Sequence, residues 1–121
     1  MDKSILDYEE HIWDLTNESR EHMAKLNEAV YSTISPEVYD DGALARRDKS
    51  LMALAIAISQ GCGPCIVSKV DQSLTSGASV QQIVETCQVA ISMGGTLAWS
   101  NCLPVFDYLR AKDLLDTPEG A

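Results

Sequence analysis

The sequence predicts an all-α domain of about six helices. Apolar residues recur at helical spacing along most of the chain, and Gly and Pro punctuate those stretches instead of closing hairpins. No segment sustains the polar-apolar alternation that a strand requires. The 121 residues suffice for one domain with a modest core. Within it, residues 1–40 read as an acidic helical region and residues 41–115 as the helical core.

Each element has its own signal. Over 4–34, Ile5, Tyr8, Ile12, Leu15, Met23, Leu26 and Val30 form an amphipathic stripe, which predicts one long helix or two joined at Thr16-Asn17. Ser35-Pro36 ends this region and Asp41-Gly42 turns the chain. The run ARRDKSLMALAIAISQ at 45–60 is rich in helix formers and apolar on every face after Leu51, which predicts a central helix stopped by Gly61. Pro64 then falls in the first turn of a helix expected over 63–76, a position where its missing N–H costs nothing.

Ser79 and Gln82 have the spacing of a capping box. The helix they open carries Val80, Ile83, Val84, Cys87 and Ile91 on one stripe and ends at Gly94-Gly95. A last helical pattern over 96–115 is expected to turn Leu97, Leu103, Phe106 and Leu109 inward, with Pro104 forcing a kink or a fresh start. Residues 116–121 read as a frayed tail.

Charge narrows the function classes. The net charge is −9, and residues 1–41 hold 11 acids against 3 bases. Nucleic acid and anionic membrane surfaces are excluded as partners, because both are held by clustered Lys and Arg. The N-terminus lacks a signal-peptide pattern and no run reaches the ~18 apolar residues of a membrane span, so a cytoplasmic protein is expected. Between Ser50 and Phe106 the charged residues are Lys69, Asp71 and Glu85 alone. So few charges imply that the centre is buried, partly against other subunits. His11, His22, Trp13 and Trp99 are read as surface or interface residues.

The chemistry concentrates in GCGPCIVSKV, residues 61–70. A Cys-Gly-Pro-Cys quartet belongs in thioredoxins after a strand, but here it lies between two helices, so the thioredoxin context is absent. Its redox chemistry survives the change of fold. Two cysteines three apart at a helix start can close a small disulfide ring, and the helix N-terminus favours a thiolate. Lys69 stands one turn beyond Cys65, where its ammonium favours that thiolate further; the alternative is a solvated lysine. Zinc needs four ligands, and neither a second CxxC nor a close His pair is present, so no metal or other cofactor is expected. Cys87 reads as a small core residue; Cys102, next to the Pro104 kink, is left open.

The order DGAL (41–44), KSLMALAIAIS (49–59), CxxC, SGASVQQIVETCQVAI (76–91) and Met-Gly-Gly (93–95) resembles the carboxymuconolactone decarboxylase and alkylhydroperoxidase D superfamily, CxxC branch. The resemblance covers roughly residues 41–110. It implies an all-α fold assembled as trimers or hexamers, and a dithiol that reduces hydroperoxides or protein disulfides at the expense of a dithiol reductant. In that branch a Glu twelve residues before the first Cys and a His four after the second form a proton relay. Those positions are Ser50 and Lys69 here. A serine is no base at neutral pH and lysine ordinarily keeps its proton, so the resemblance supports Lys69 as a thiolate stabiliser better than as a relay.

The expected activity is thiol-disulfide oxidoreductase or alkylhydroperoxidase, an antioxidant function with Lys69 assisting and Ser50 at the relay position; the resemblance and closeness to Lys69 favour Cys65 attacking and Cys62 resolving, while the helix dipole, with Cys62 nearer the N-cap, argues for the reverse order. The rival readings are a non-catalytic oligomeric interaction protein and, by family name alone, a lactone decarboxylase. For the latter no Arg or His cluster is available to bind a carboxylated lactone.

Overall fold

A computed structural model describes residues 2–22 and 36–115. Four α-helices make up the described residues: α1 (Ser4–His22), α2 (Arg46–Gln60), α3 (Gly63–Thr75) and α4 (Val80–Ala111), with a 3-10 turn at Pro36–Tyr39. No strand occurs among the described residues. The expected helix over 23–34 and the tail at 116–121 lie outside the described residues.

The core is built where α2, α3 and α4 meet. Leu54 and Ile58 from α2, Ile66 and Val70 from α3, and Ile83, Val105 and Leu109 from α4 are all essentially inaccessible to water. Each such side chain contributes about 1.5–3 kcal/mol by leaving water, which outweighs the weak intrinsic helicity of segments this short. α1 lies across this core with Ile5 and Leu6 packed onto it, but none of its residues is fully buried. It therefore forms a cover, touching α3 and α4.

Several boundaries follow from local chemistry. α2 begins without a side-chain cap at Ala45; instead the Asp41 carboxylate accepts the Arg46 amide at 2.7 Å. At its other end Gly61 takes the left-handed conformation (φ 69°), with the Gly61 amide donating to Ile58 and the Cys62 amide to Ala57. This is the paired arrangement by which a glycine closes a helix. The Asn101 side chain of α4 also donates to the Ile58 carbonyl at 2.9 Å. The capping box at Ser79 and Gln82 is present, with both reciprocal bonds made.

Of the two readings left open at Thr16-Asn17, α1 takes the unbroken one, because the Thr16 hydroxyl donates back to the Ile12 carbonyl at 2.7 Å instead of competing for a backbone group of its own turn. Three expectations are corrected. The expected break at Gly94-Gly95 is present (Gly95 φ 65°, ψ −144°), but Pro104 forces neither a kink nor a fresh start and sits inside a continuous helical limb. The bond that Pro104 cannot make falls on the carbonyl of Ser100, an exposed residue that water can satisfy. Leu97 and Leu103 point outward, at 70% and 57% exposure, while Ala98, Cys102, Val105, Tyr108 and Leu109 form the inward stripe. α2 is likewise one-sided, with Met52 and Ile56 exposed.

The bend also decides what α4 is. By length and composition it is the one described helix apolar enough to cross a membrane. It is not straight: the Cys87 and Cys102 side chains are neighbours in the core across the bend, whereas a straight helix would hold positions fifteen apart roughly 22 Å from each other. The limbs 80–94 and 96–111 thus fold back together, and neither reaches the ~20 residues a span needs.

Candidate functional site

The Schellman closure of α2 delivers the chain directly into the redox quartet. Cys62 is the N-cap of α3 and Pro64 sits in its first turn, so two helix signals bracket the cysteines. Cys62 and Cys65 are joined as a disulfide with Cα atoms 5.2 Å apart. The Cys62 sulfur accepts the Cys65 amide at 3.3 Å. Both sulfurs therefore lie in the first turn, where unpaired amides and the helix dipole favour negative charge on sulfur. Cys65 is exposed and Cys62 half-buried.

Cys65 opens on a cleft of about 290 Å³ between α1 and α3. Pro64, Cys65, Val67, Ser68 and Lys69 line one wall. The other wall is α1, through Tyr8, Glu9, Ile12, Trp13, Thr16 and Arg20. These positions recur at three- and four-residue spacing, so one face of α1 supplies them all. Tyr8 comes close to the quartet itself: a Cβ built on Gly63 would stand 3.6 Å from its hydroxyl.

Lys69 lines the same cleft as Cys65. Its ammonium donates to the Gln72 side-chain oxygen at 2.8 Å and lies 4.7 Å from the centre of the Tyr39 ring. The Gln72 amide donates in turn to the Ser50 hydroxyl at 2.9 Å, and Ser50 donates to the Arg46 carbonyl at 2.8 Å. Ser50 is wholly buried and absent from the cleft. Positions 50 and 69 are thus connected in space through Gln72, a residue the sequence reading passed over. Every donor in this chain points from Lys69 toward α2, and neither an amide nor a serine hydroxyl is a base at neutral pH.

A second polar cluster lies behind the cleft. Tyr108 of α4 is fully buried, and its hydroxyl donates to Asp71 at 3.2 Å. Burial raises its pKa above the ordinary tyrosine range, with the facing Glu9 and Asp71 carboxylates adding to the effect, so it remains a phenol. Glu9 Oε2 is buried and has no hydrogen-bond partner among the described residues.

The other two cysteines belong to the core. Cys87 and Cys102 are buried, and burial together with the neighbouring Cys102 pushes the Cys87 thiol up to about 12. Burial also raises Cys102. Among the described residues no three His, Cys, Asp or Glu side chains come together as a metal site. His11 and His22 are exposed on α1, and His22 stands 3.9 Å from Glu18.

Trp13, read as a surface or interface residue, is partly exposed and lines the cleft, and Glu9 carries no signal of its own in the sequence. The available signal was the recurrence of 9, 13, 16 and 20 on one face of α1, a face partly polar where a purely structural stripe would be apolar.

Comparison with known proteins agrees with this architecture. An uncharacterised protein of Cupriavidus necator is 35% identical over 86 residues, covering 69% of this chain and 76% of its own. Uncharacterised protein 4 in the cox locus of Paracoccus denitrificans is 33% identical over 92 residues, 76% of this chain and 78% of its own. Among solved structures, a carboxymuconolactone decarboxylase family protein from Legionella pneumophila superposes with a TM-score of 0.76 at 21% identity, covering 93% of this chain and 98% of that one. A Thermotoga maritima protein gives 0.72 at 22% identity, covering 93% and 96%. At those identities the structures speak for the fold. The family's sequence profile matches residues 21–108, most of the chain and all of the redox quartet, and the chain belongs to the carboxymuconolactone decarboxylase family.

Proposed function

We propose that the protein is a cytoplasmic dithiol-disulfide oxidoreductase of the alkylhydroperoxidase type, acting on hydroperoxides or protein disulfides. The observation that carries this reading is the placement of Cys62 and Cys65 in the first turn of α3, with Cys65 alone of the two lining a cleft. Cys65 is therefore the attacking sulfur and Cys62 the resolving one.

In the reduced protein the Cys65 thiolate attacks the terminal oxygen of a hydroperoxide. The O–O bond breaks, the alkoxide takes up a proton and leaves as an alcohol, and Cys65 becomes a sulfenic acid. The Cys62 thiol condenses with it, releasing water and forming the Cys62–Cys65 disulfide. An external dithiol reduces that disulfide and is itself oxidised. With a protein disulfide as substrate, the leaving group is a thiolate instead. Lys69 adds positive charge to the cleft and so favours the thiolate. Its tether to Gln72 and Tyr39 keeps it beside the cleft, which supports a stationary electrostatic role over proton shuttling.

The test is turnover of an alkyl hydroperoxide, hydrogen peroxide and an insulin-type disulfide with a dithiol reductant. Wild type is expected to turn over at least one of them. Cys65→Ser is expected to abolish that activity, and reduced Cys62→Ser, with the reductant removed, to consume one equivalent of hydroperoxide and stop at the Cys65 sulfenic acid. Full activity in Cys65→Ser, or none in wild type, overturns the assignment and leaves an interaction protein in its place.

A further inference from the structure

The relay position that the family resemblance implies offers no base, since Ser50 is buried away from the cleft and ends a chain of donors. A dithiol that reduces a hydroperoxide still has to move a proton. The thiol must lose one before attack, and the departing alkoxide must gain one. The titratable groups at the cleft are few: Tyr8, Glu9 and Arg20 across it on α1 and Lys69 beside Cys65 on α3, with Tyr108 and Asp71 behind Glu9. Of these only Glu9 is a carboxylate open to the cleft.

We propose that Glu9 is the proton acceptor and donor for Cys65, doing from α1 what the family pattern assigns to the position of Ser50. This rests on the dithiol reading above. Two observations carry it. Glu9 shares the cleft with Cys65 and Lys69. Its Oε2 is also buried with no hydrogen-bond partner among the described residues, an arrangement that leaves an acceptor lone pair unused inside the protein. The Tyr108 hydroxyl donates to Asp71 at 3.2 Å and also faces Glu9, so a buried phenol backs the carboxylate on the side away from the cleft.

The step balances. The Cys65 thiol gives its proton to the Glu9 carboxylate, the thiolate sulfur bonds to the terminal hydroperoxide oxygen as the O–O bond breaks, and the alkoxide recovers the proton from Glu9. The net change is hydroperoxide plus thiol to alcohol plus sulfenic acid. For a disulfide substrate the departing thiolate recovers the same proton.

Glu9→Gln keeps the shape and removes the base, and it separates chemistry from structure through two readouts. General acid-base assistance is worth about 10²-fold or more, so hydroperoxide turnover at neutral pH is expected to fall by about 10²-fold. Removing an anion from the cleft that Cys65 lines favours its thiolate. In a reduced Cys62→Ser background, the midpoint pH for iodoacetamide alkylation of Cys65 is therefore expected to move down when Glu9→Gln is added. Glu10→Gln, on the exposed side of α1, is the control and is expected to change neither. Turnover within threefold of wild type, or a loss of turnover with slower alkylation at every pH, overturns the role of Glu9. Wild type inert toward every substrate fails the dithiol reading itself, and the role of Glu9 with it.

Discussion

Lys69 shows how one residue's meaning depends on what surrounds it. In the sequence it is an isolated base one turn after Cys65, and its isolation argues for a specific purpose. The structure gives it two fixed partners, the Gln72 carbonyl and the Tyr39 ring, and sets it on the wall that carries Cys65. A tethered cation beside a thiol lowers the energy of the thiolate, so Lys69→Met is expected to move the alkylation midpoint of Cys65 upward by up to about one pH unit. Alkylation followed by mass spectrometry measures this on the native protein. Cys87 does not compete, because burial holds its thiol up at about 12. An unchanged midpoint would mean that Lys69 only packs. Ser50 reverses the pattern, since its importance by position gives way to a structural role, tying α2 to Gln72 of α3.

At the scale of elements, the bend in α4 organises the fold. Gly95 adopts φ 65°, ψ −144°, a conformation that costs any residue with a Cβ about 1–3 kcal/mol. Space is not the obstacle, since a Cβ there would meet nothing within 4 Å. Gly95→Ala is therefore expected to lose about 1–3 kcal/mol, read as a lower urea midpoint with unchanged slope. Gly61→Ala is expected to cost about 1–2 kcal/mol by the same conformational argument. Its Cβ would also come within 3.4 Å of the Asn101 amide that caps α2. The redox quartet begins one residue later, so Gly61→Ala is expected to slow thiol chemistry as well as lower stability, whereas Gly95→Ala lowers stability alone. Pro104 attracts attention in the sequence and turns out to be the lesser feature, because its missing bond faces water.

For the whole molecule, the exposed apolar surface needs an occupant. Met93, Leu97, Trp99 and Leu103 are 88%, 70%, 61% and 57% exposed, and they cluster on and after the bend of α4. A single chain with this much apolar surface in water is unusual, and we propose that further copies of the chain cover it, as the family resemblance implies. Leu97→Glu with Leu103→Glu is expected to leave the fold intact and shift the assembly toward monomer, measured by light scattering. A wild-type monomer at micromolar concentration would refute the proposal. The cleft lies on the α1 and α3 side and shares none of these four residues, so the dissociated variant is expected to retain thiol reactivity.

The sequence by itself determined the helical class, the capping box at Ser79, the stop at Gly61, the core placement of Cys87 and the redox quartet at a helix start. These are set by spacing and backbone chemistry within a few residues, which any reading of neighbours can recover. Tertiary structure alone decided that α1 walls the cleft, that Gln72 joins Ser50 to Lys69, that Glu9 lines the cleft of Cys65, and that the two limbs of α4 pack against each other with no break at Pro104. Each of those depends on residues tens of positions apart being brought together by burial of the α2–α3–α4 core. Periodicity says which face of a helix is apolar, but it does not say what that face meets.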